Sequence, residues 1–305
     1  MAVSLTYENV PGFGPVYWQL LTTRRSGFQR GQTLPALEAT WANARFDRER
    51  LQAYCKVCDW PFTGKVPILY PHVLSSAMHI ALFSQPSFPV SLFGAVHARF
   101  HAVQHRSFGP DTQPAVHCRL AAYRVVKQGL ELDVTTVLSV EGARIWESIS
   151  TYLARGKKFG EPVDAPPRAA MAPLDIPEEP LASPWMERSW PVPFGEGRRY
   201  AKVCGDYNPI HIGNLPAKLF GFPRAIIHGM WSSARCLSEL PALPEDAPQH
   251  CGLIYKGPVF IGDTSTVKAW VEGDARRFEL YCTGNPRPCM QGELRVAHAG
   301  ERLVE

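Results

Sequence analysis

Three pairs of segments in this chain match each other in the same order, one member in each half. "YCKVCDW" at Tyr54–Trp60 pairs with "YAKVCGDY" at Tyr200–Tyr207, and with one gap at Gly205 their Tyr, Lys, Val, Cys and Asp coincide. "PHVLSSAMHIALFSQPSFP" from Pro71 parallels "IHGMWSSARCLSELPALP" from Ile227, which sets His72 on His228. "SFGPDT" at Ser107 parallels "VFIGDT" at Val259, and Glu131-Leu132 parallels Glu279-Leu280. Matches in register point to a duplicated fold, so the architecture must be one that a single unit can build twice. Between the copies, "EPVDAPPRAAMAPLDIPEEPLASP" (Glu161–Pro184) has seven prolines and little apolar periodicity, as an extended linker does. The expected organisation is an N-terminal unit at 1–160, a Pro-rich linker at 161–190 and a C-terminal unit at 191–305.

Each unit reads as one long helix followed by strands. In the second, a helix runs from His228 to about Leu240, where Pro241 stops it, and strands follow in "HCGLIYKGPVF", "TSTVKAWVEG", "RRFELYCTG" and "MQGELRVAH". In the first, the helix from Pro71 precedes "VHARFHAVQH", "AVHCRLAAYRVVK", "LELDVTTVLSV" and "RIWESISTYL". Leu130, Leu132, Val134 and Thr136 alternate with Glu131, Asp133 and Thr135, as a half-buried strand requires. An apolar helix with four or five antiparallel strands is an α+β unit whose sheet wraps the helix to bury it.

A net charge of +4 gives no reason to expect nucleic acid as a partner. The stretch Val66–Ala98 lacks Asp, Glu, Lys and Arg, but Pro67, Pro71, Pro86 and Pro89 interrupt it. A buried helix followed by a buried strand is expected there, and no membrane span. The N-terminus has neither a basic n-region nor an apolar h-region. With eight cysteines and no export signal, the expectation is a cytoplasmic protein with free thiols. Cys55 and Cys58 form a Cys-x-x-Cys, but Ala201 is the repeat's counterpart of Cys55, which suits a packed helix face better than a metal ligand.

The chemistry concentrates in "YAKVCGDYNPIHIGN", where Asp206 and His211 stand five residues apart across Asn208-Pro209. On a continuous helix they would point about 140° from each other. Pro209 disfavours helical backbone at Asn208 and so turns the chain, which can bring both side chains to one point. Asp-x-Asn-Pro is also turn chemistry in its own right, so these residues alone admit a plain capped loop.

The longer segment "YAKVCGDYNPIHIGNLPAKLFGFPRAIIHGM" resembles the signature of the MaoC-like, R-specific (type-2) enoyl-CoA hydratases. Asp206, Asn208 and His211 stand in its G-D-x-N-P-x-H part. Ala217, Gly221 and Phe222 follow, and His228, Gly229 and Met230 open the central helix. The likeness covers Tyr200–Leu240 most closely, and Cys204 stands where a serine is common. The resemblance implies a hotdog fold, a sheet rolled round one helix, and with the repeat a double hotdog. It implies a hydro-lyase that interconverts a trans-2-enoyl thioester and an (R)-3-hydroxyacyl thioester, in fatty acid metabolism. Asp206 and His211 would hold the catalytic water, and the Gly229 N–H at the helix start would receive the enolate oxygen. Glycine there would leave room for the thioester. Asn208 would orient Asp206 and help bind substrate. His228 would cap or pack the helix start. No metal and no cofactor are implied. The partner expected is an acyl thioester of coenzyme A or of a carrier protein, with a homodimer left open. Lys202, Lys218, Arg224 and Lys256 are candidates to meet coenzyme A phosphates.

The first unit lacks the loop. Asp59 to His72 spans thirteen residues against twenty-two from Asp206 to His228, and Val73 replaces Gly229. One active site per chain follows, with the first unit as scaffold and wall of an acyl tunnel. The alternatives are a hotdog acyl thioesterase, which would want its acid on the central helix, a non-catalytic acyl-thioester binding module, and a subunit that acts only through a partner.

Overall fold

The computed structural model describes residues 2–9, 11–29, 31–92, 94–156, 159, 183–244 and 246–304. Its first half runs β1 (Val3–Tyr7), α1 (Phe13–Thr22), β2 (Leu37–Trp41), α2 (Arg48–Val57), α3 (Tyr70–Ser84), β3 (Val96–Gln104), β4 (Ala115–Val126), β5 (Gly129–Val140) and β6 (Ala143–Arg155). The second runs β7 (Met186–Pro191), α4 (Glu196–Cys204), α5 (Pro209–Ile212), α6 (Asn214–Leu219), α7 (Gly229–Glu239), β8 (Gln249–Tyr255), β9 (Thr264–Glu272), β10 (Ala275–Cys282) and β11 (Met290–Val296). The strands form one sheet in the order β1-β2-β4-β5-β6-β3-β8-β11-β10-β9-β7. Read outward from the antiparallel β3–β8 pair, the two sides match strand for strand (β3 with β8, β6 with β11, β5 with β10, β4 with β9, β2 with β7). Among the described residues only β1 has no counterpart, and it pairs parallel with β2 at the edge.

The expected helices and strands all form, α3 and β3 in the uncharged stretch among them. Sequence reading missed α1, which packs on α3, and β1, β2 and β7, which are short and lie at the ends of the sheet. Residues 161–182 of the expected linker lie outside the described residues. The linker range ran too far at its end, because Met186–Pro191 pairs with β9 from Met186↔Ala269 to Pro191↔Thr264. Backbone pairing in register outweighs the segment's polar composition.

The half-buried reading of β5 also needs correction, since both of its faces are covered. On the polar face Glu131 takes Arg99 and Arg124 at 2.5 Å, and Asp133 takes Arg124 at 2.6 Å and Thr151 at 2.6 Å. Carboxylates so paired tolerate burial that a lone one would not.

The apolar core runs through both halves. Tyr54 of α2 packs edge-on against Tyr70 at 5.1 Å and against Tyr200 of α4 at 6.2 Å. Trp231 of α7 donates to the Val57 carbonyl at 2.9 Å, and Arg50 of α2 donates to the Val203 carbonyl at 2.6 Å. Each half thus satisfies helix-end carbonyls of the other, which have no acceptor role left inside their own helices. Among the described residues no helix is long and apolar enough to cross a membrane. All eight cysteines are buried and unpaired.

Candidate active site

The site begins where α4 stops. Gly205 takes a left-handed φ of 79°, and its N–H bonds the Ala201 carbonyl at 2.7 Å. A Cβ there would also lie 1.9 Å from the Phe13 ring, so glycine is required twice over. The chain then extends through Asp206 and Asn208. Pro209 sits at the first position of α5, where its missing N–H costs no hydrogen bond. The proline therefore separates two helices and turns the second, which carries His211, back toward Asp206.

Asp206 Oδ2 and His211 Nε2 lie 3.9 Å apart. His211 Nδ1 meets the Ile226 carbonyl at 2.9 Å. A carbonyl only accepts, so Nδ1 carries the proton and Nε2 presents its lone pair toward the carboxylate. Burial lowers the His211 pKa below its ordinary value, partly opposed by the Asp206 charge and the Ile226 bond. The imidazole is therefore neutral at neutral pH.

Asn208 bonds within the loop and reaches Asp206 through its main chain. Its backbone N–H, not its side chain, holds Asp206 Oδ1, at 3.0 Å. Its side-chain oxygen caps α5 at the Ile210 N–H, and its amide donates to the Ala95 carbonyl of the first half, each at 3.5 Å. Cys204 accepts the Asp206 N–H on its sulfur at 3.3 Å.

His228 packs but does not cap. Its side chain makes no hydrogen bond to the amides that open α7. Nε2 donates instead to the Asp206 carbonyl at 2.8 Å, and Nδ1 is buried without a partner among the described residues. Burial first, and then neighbouring His211, lowers its pKa to about 3.

Asp206, His211 and His228 place ligand-type atoms within 4.8 Å of one another. The two imidazoles are stacked, with centroids 3.7 Å apart and planes 26° apart. In-plane lone pairs of stacked rings run side by side, whereas a cation needs them to converge at about 2.0–2.1 Å.

Gly229 opens α7, and its N–H is among the first-turn amides that have no intrahelical acceptor. The expectation about its missing side chain is corrected. The space a Cβ would take is filled by the Tyr255 ring, 2.8 Å away. Glycine here lets β8 pack against the helix start.

These groups line one cavity of about 1170 Å³ that draws on both halves. Asp206, Asn208, His211, His228 and Gly229 contribute from the second, and His72, Ser76, His79, His97 and Tyr152 from the first. Sequence reading took the first half for a tunnel wall but missed these polar groups. A clue was present in His72 and His79, seven residues apart and so two turns along one helix face.

Of the basic candidates, Lys256 lines the cavity, while Arg224 is tied to Asp263 at 2.7 Å. Asp59 is not in the cavity. It takes a φ of 47°, the left-handed position that Gly205 takes in the other half, and its exposed carboxylate pairs with Arg235 at 3.2 Å. Structurally it is the counterpart of Gly205, one residue off the sequence match with Asp206.

Comparison with known proteins bears on the whole arrangement. A family model described as MaoC like domain matches residues 176–285. The 3-hydroxyacyl-thioester dehydratase X of Mycobacterium tuberculosis is 31% identical over 247 residues, which is 80% of this chain and 84% of that protein. Enoyl-CoA hydratase ChsH3 of the same organism is 28% identical over 143 residues, 46% of this chain and 47% of its own length. The crystal structure of HtdX of Mycobacterium tuberculosis has the same fold, with a TM-score of 0.71 at 24% identity over 85% of this chain and 100% of that one. The architecture is a double hotdog, and the chain belongs to the MaoC-like dehydratase family.

Proposed function

We propose that this protein interconverts a trans-2-enoyl thioester and an (R)-3-hydroxyacyl thioester at one site per chain, with Asp206 and His211 holding the water. The observation that carries this reading is the 3.9 Å between Asp206 Oδ2 and the lone-pair nitrogen of His211. That gap is too long for a direct hydrogen bond and suits a water at about 2.8 Å from each. The names of the relatives support the same reaction class.

In the hydration direction, the water oxygen attacks C3 while His211 Nε2 or Asp206 takes its proton. Electron density moves to the thioester oxygen. The Gly229 N–H, at the positive end of α7, stabilises the resulting enolate. A proton delivered to C2 completes the addition, and dehydration is the reverse. His211 suits the base role because burial keeps it neutral and the Ile226 carbonyl fixes its tautomer.

A thioesterase would need an acid on the central helix. Along α7 the only one is Glu239, at its last position and tied to Arg235 at 3.3 Å. A binding module without turnover would have no use for the fixed tautomer of His211.

The test is hydration of crotonyl-CoA, followed by loss of enoyl absorbance. Asp206→Asn and His211→Gln are each expected to lower turnover by at least about a hundredfold with folding retained. Near-wild-type hydration by either variant overturns the mechanism. Release of free thiol without hydration selects the thioesterase, and tight binding without turnover selects the binding module.

A further inference from the structure

The first-half part of the cavity has a lining that a plain alkyl chain does not call for. We infer that the acyl group this protein takes carries a neutral hydrogen-bonding oxygen, a hydroxyl or a carbonyl, beyond the reacting carbons, and that His72 and His97 hold it. This rests on the enoyl-thioester reading above and adds the chemical class of the acyl group.

A run of polar rings, most of them from the first half, lines the cavity. His72 lies 5.2 Å from His97, centroid to centroid, and His97 stacks between Tyr152 at 4.9 Å and Tyr255 at 5.3 Å. Behind them His79 is fully engaged, with Tyr152 at 2.8 Å and Thr136 at 2.7 Å. His72 and His97 are not. Ser150 meets one nitrogen of His72 at 3.3 Å, and the other has no hydrogen-bond partner among the described residues, although His72 is only 6% exposed. His97 lines the cavity, and its Nε2 has no partner among the described residues but is shut off behind the ring edge, so the ring must turn slightly to present it. An alkyl chain laid along these rings would leave both groups unsatisfied and desolvated, which buried polar groups avoid. A hydroxyl or a carbonyl would satisfy them.

The charge state selects a neutral partner. Burial holds His72 down to about 4 and His97 well below its ordinary value. A neutral imidazole both donates and accepts, so it can meet either kind of oxygen but gives a carboxylate no counter-charge. The position also matters. The Asp206 charge acts on both His72 and Tyr152, so these rings share the cavity with the proposed water site. With C3 met by the water and the thioester oxygen by the Gly229 N–H, an oxygen held by His72 and His97 is a further one on the acyl group.

The experiment compares kcat/KM of the wild-type protein for trans-2-decenoyl-CoA and for analogues bearing one keto or one hydroxyl group at successive carbons from the fifth onward. At least one analogue is expected to exceed the plain chain by about tenfold or more, the worth of a buried hydrogen bond that would otherwise go unmade. The better series, keto or hydroxyl, names the oxygen. In His97→Phe, which keeps a ring between the two tyrosines but has no nitrogens, that ratio should fall toward one. Equal or faster turnover of the plain chain against every analogue overturns the inference and leaves the hydratase reading standing. An unchanged preference in folded His97→Phe removes His97 from the assignment. If no enoyl-CoA is hydrated at all, the reading on which the inference rests has failed first.

Discussion

The imidazole of His228 lies flat on that of His211 at 3.7 Å, while its Nε2 donates to the main-chain carbonyl of Asp206 at 2.8 Å. One buried side chain thus touches both residues proposed to hold the water and sets their spacing. His228→Phe keeps the ring contact and removes the bond. Turnover of crotonyl-CoA is expected to fall by about tenfold, less than for loss of Asp206 or His211, because the reacting groups remain but are held less closely. Loss as complete as in Asp206→Asn would place His228 among the groups that act on substrate.

The pH profile should report His211. It must be neutral to accept a proton, and burial lowers its pKa below 6.5. The acid limb of kcat/KM is therefore expected to have its midpoint below 6.5. Because the Asp206 charge raises the His211 value, imidazole titration by NMR should move still lower in Asp206→Asn. A midpoint at or above 6.5 would contradict the burial that the structure assigns to this ring.

Stability should fall in acid through the other buried histidines. His101 is held down to about 3 by burial, with His250, Arg99 and Arg295 adding to the effect. Its folded pKa is thus below its unfolded value. Between about 6.5 and 3 the unfolded chain binds the proton and the folded one does not, so stability is present above that window and is lost as pH falls through it. One such group contributes up to about 1.4 kcal/mol per pH unit there. Urea unfolding at several pH values should show a shallower acid slope in His101→Gln than in the wild type. Equal slopes would show that His101 takes up its proton in the folded state.

Neighbouring serines on α3 should behave oppositely. Ser76 lines the cavity, with its hydroxyl bonded to the Cys204 carbonyl at 3.2 Å, whereas Ser75 is fully buried and bonds the His72 carbonyl at 3.3 Å. Ser76→Trp is expected to lower turnover of long enoyl-CoAs more than of short ones. Ser75→Trp should cost about 1–3 kcal/mol by overpacking. Substrate panels and thermal melts separate the two. An unchanged long-to-short ratio in Ser76→Trp means that the acyl chain does not pass this helix.

Asp59→Asn should leave turnover within about twofold of the wild type, since the exposed carboxylate lies outside the cavity and buried Arg235 keeps Glu239 as a second partner. Asparagine also tolerates the left-handed backbone there. A large loss of activity in folded protein would mean that the first half supplies a catalytic group after all.

The sequence by itself determined the duplication, the helix-then-strands order of each half, and the break at Pro209 that lets Asp206 and His211 meet. All of these depend on local chemistry: apolar period, turn residues, and the backbone restriction that a proline imposes on its neighbour. Only the tertiary structure decided matters that turn on which distant groups meet. It put Asp59 opposite Gly205, because both take the left-handed turn at a helix end. It gave Tyr255, from a strand, the space beside Gly229, and made the Asn208 main chain the partner of the Asp206 carboxylate. It also gathered His72, His79 and His97 along one cavity from a helix and a strand, where the sequence hinted only at the pair on the helix. Periodicity shows which face of an element is buried. Which side chains share that burial depends on how the sheet curves and how the two halves join along β3 and β8.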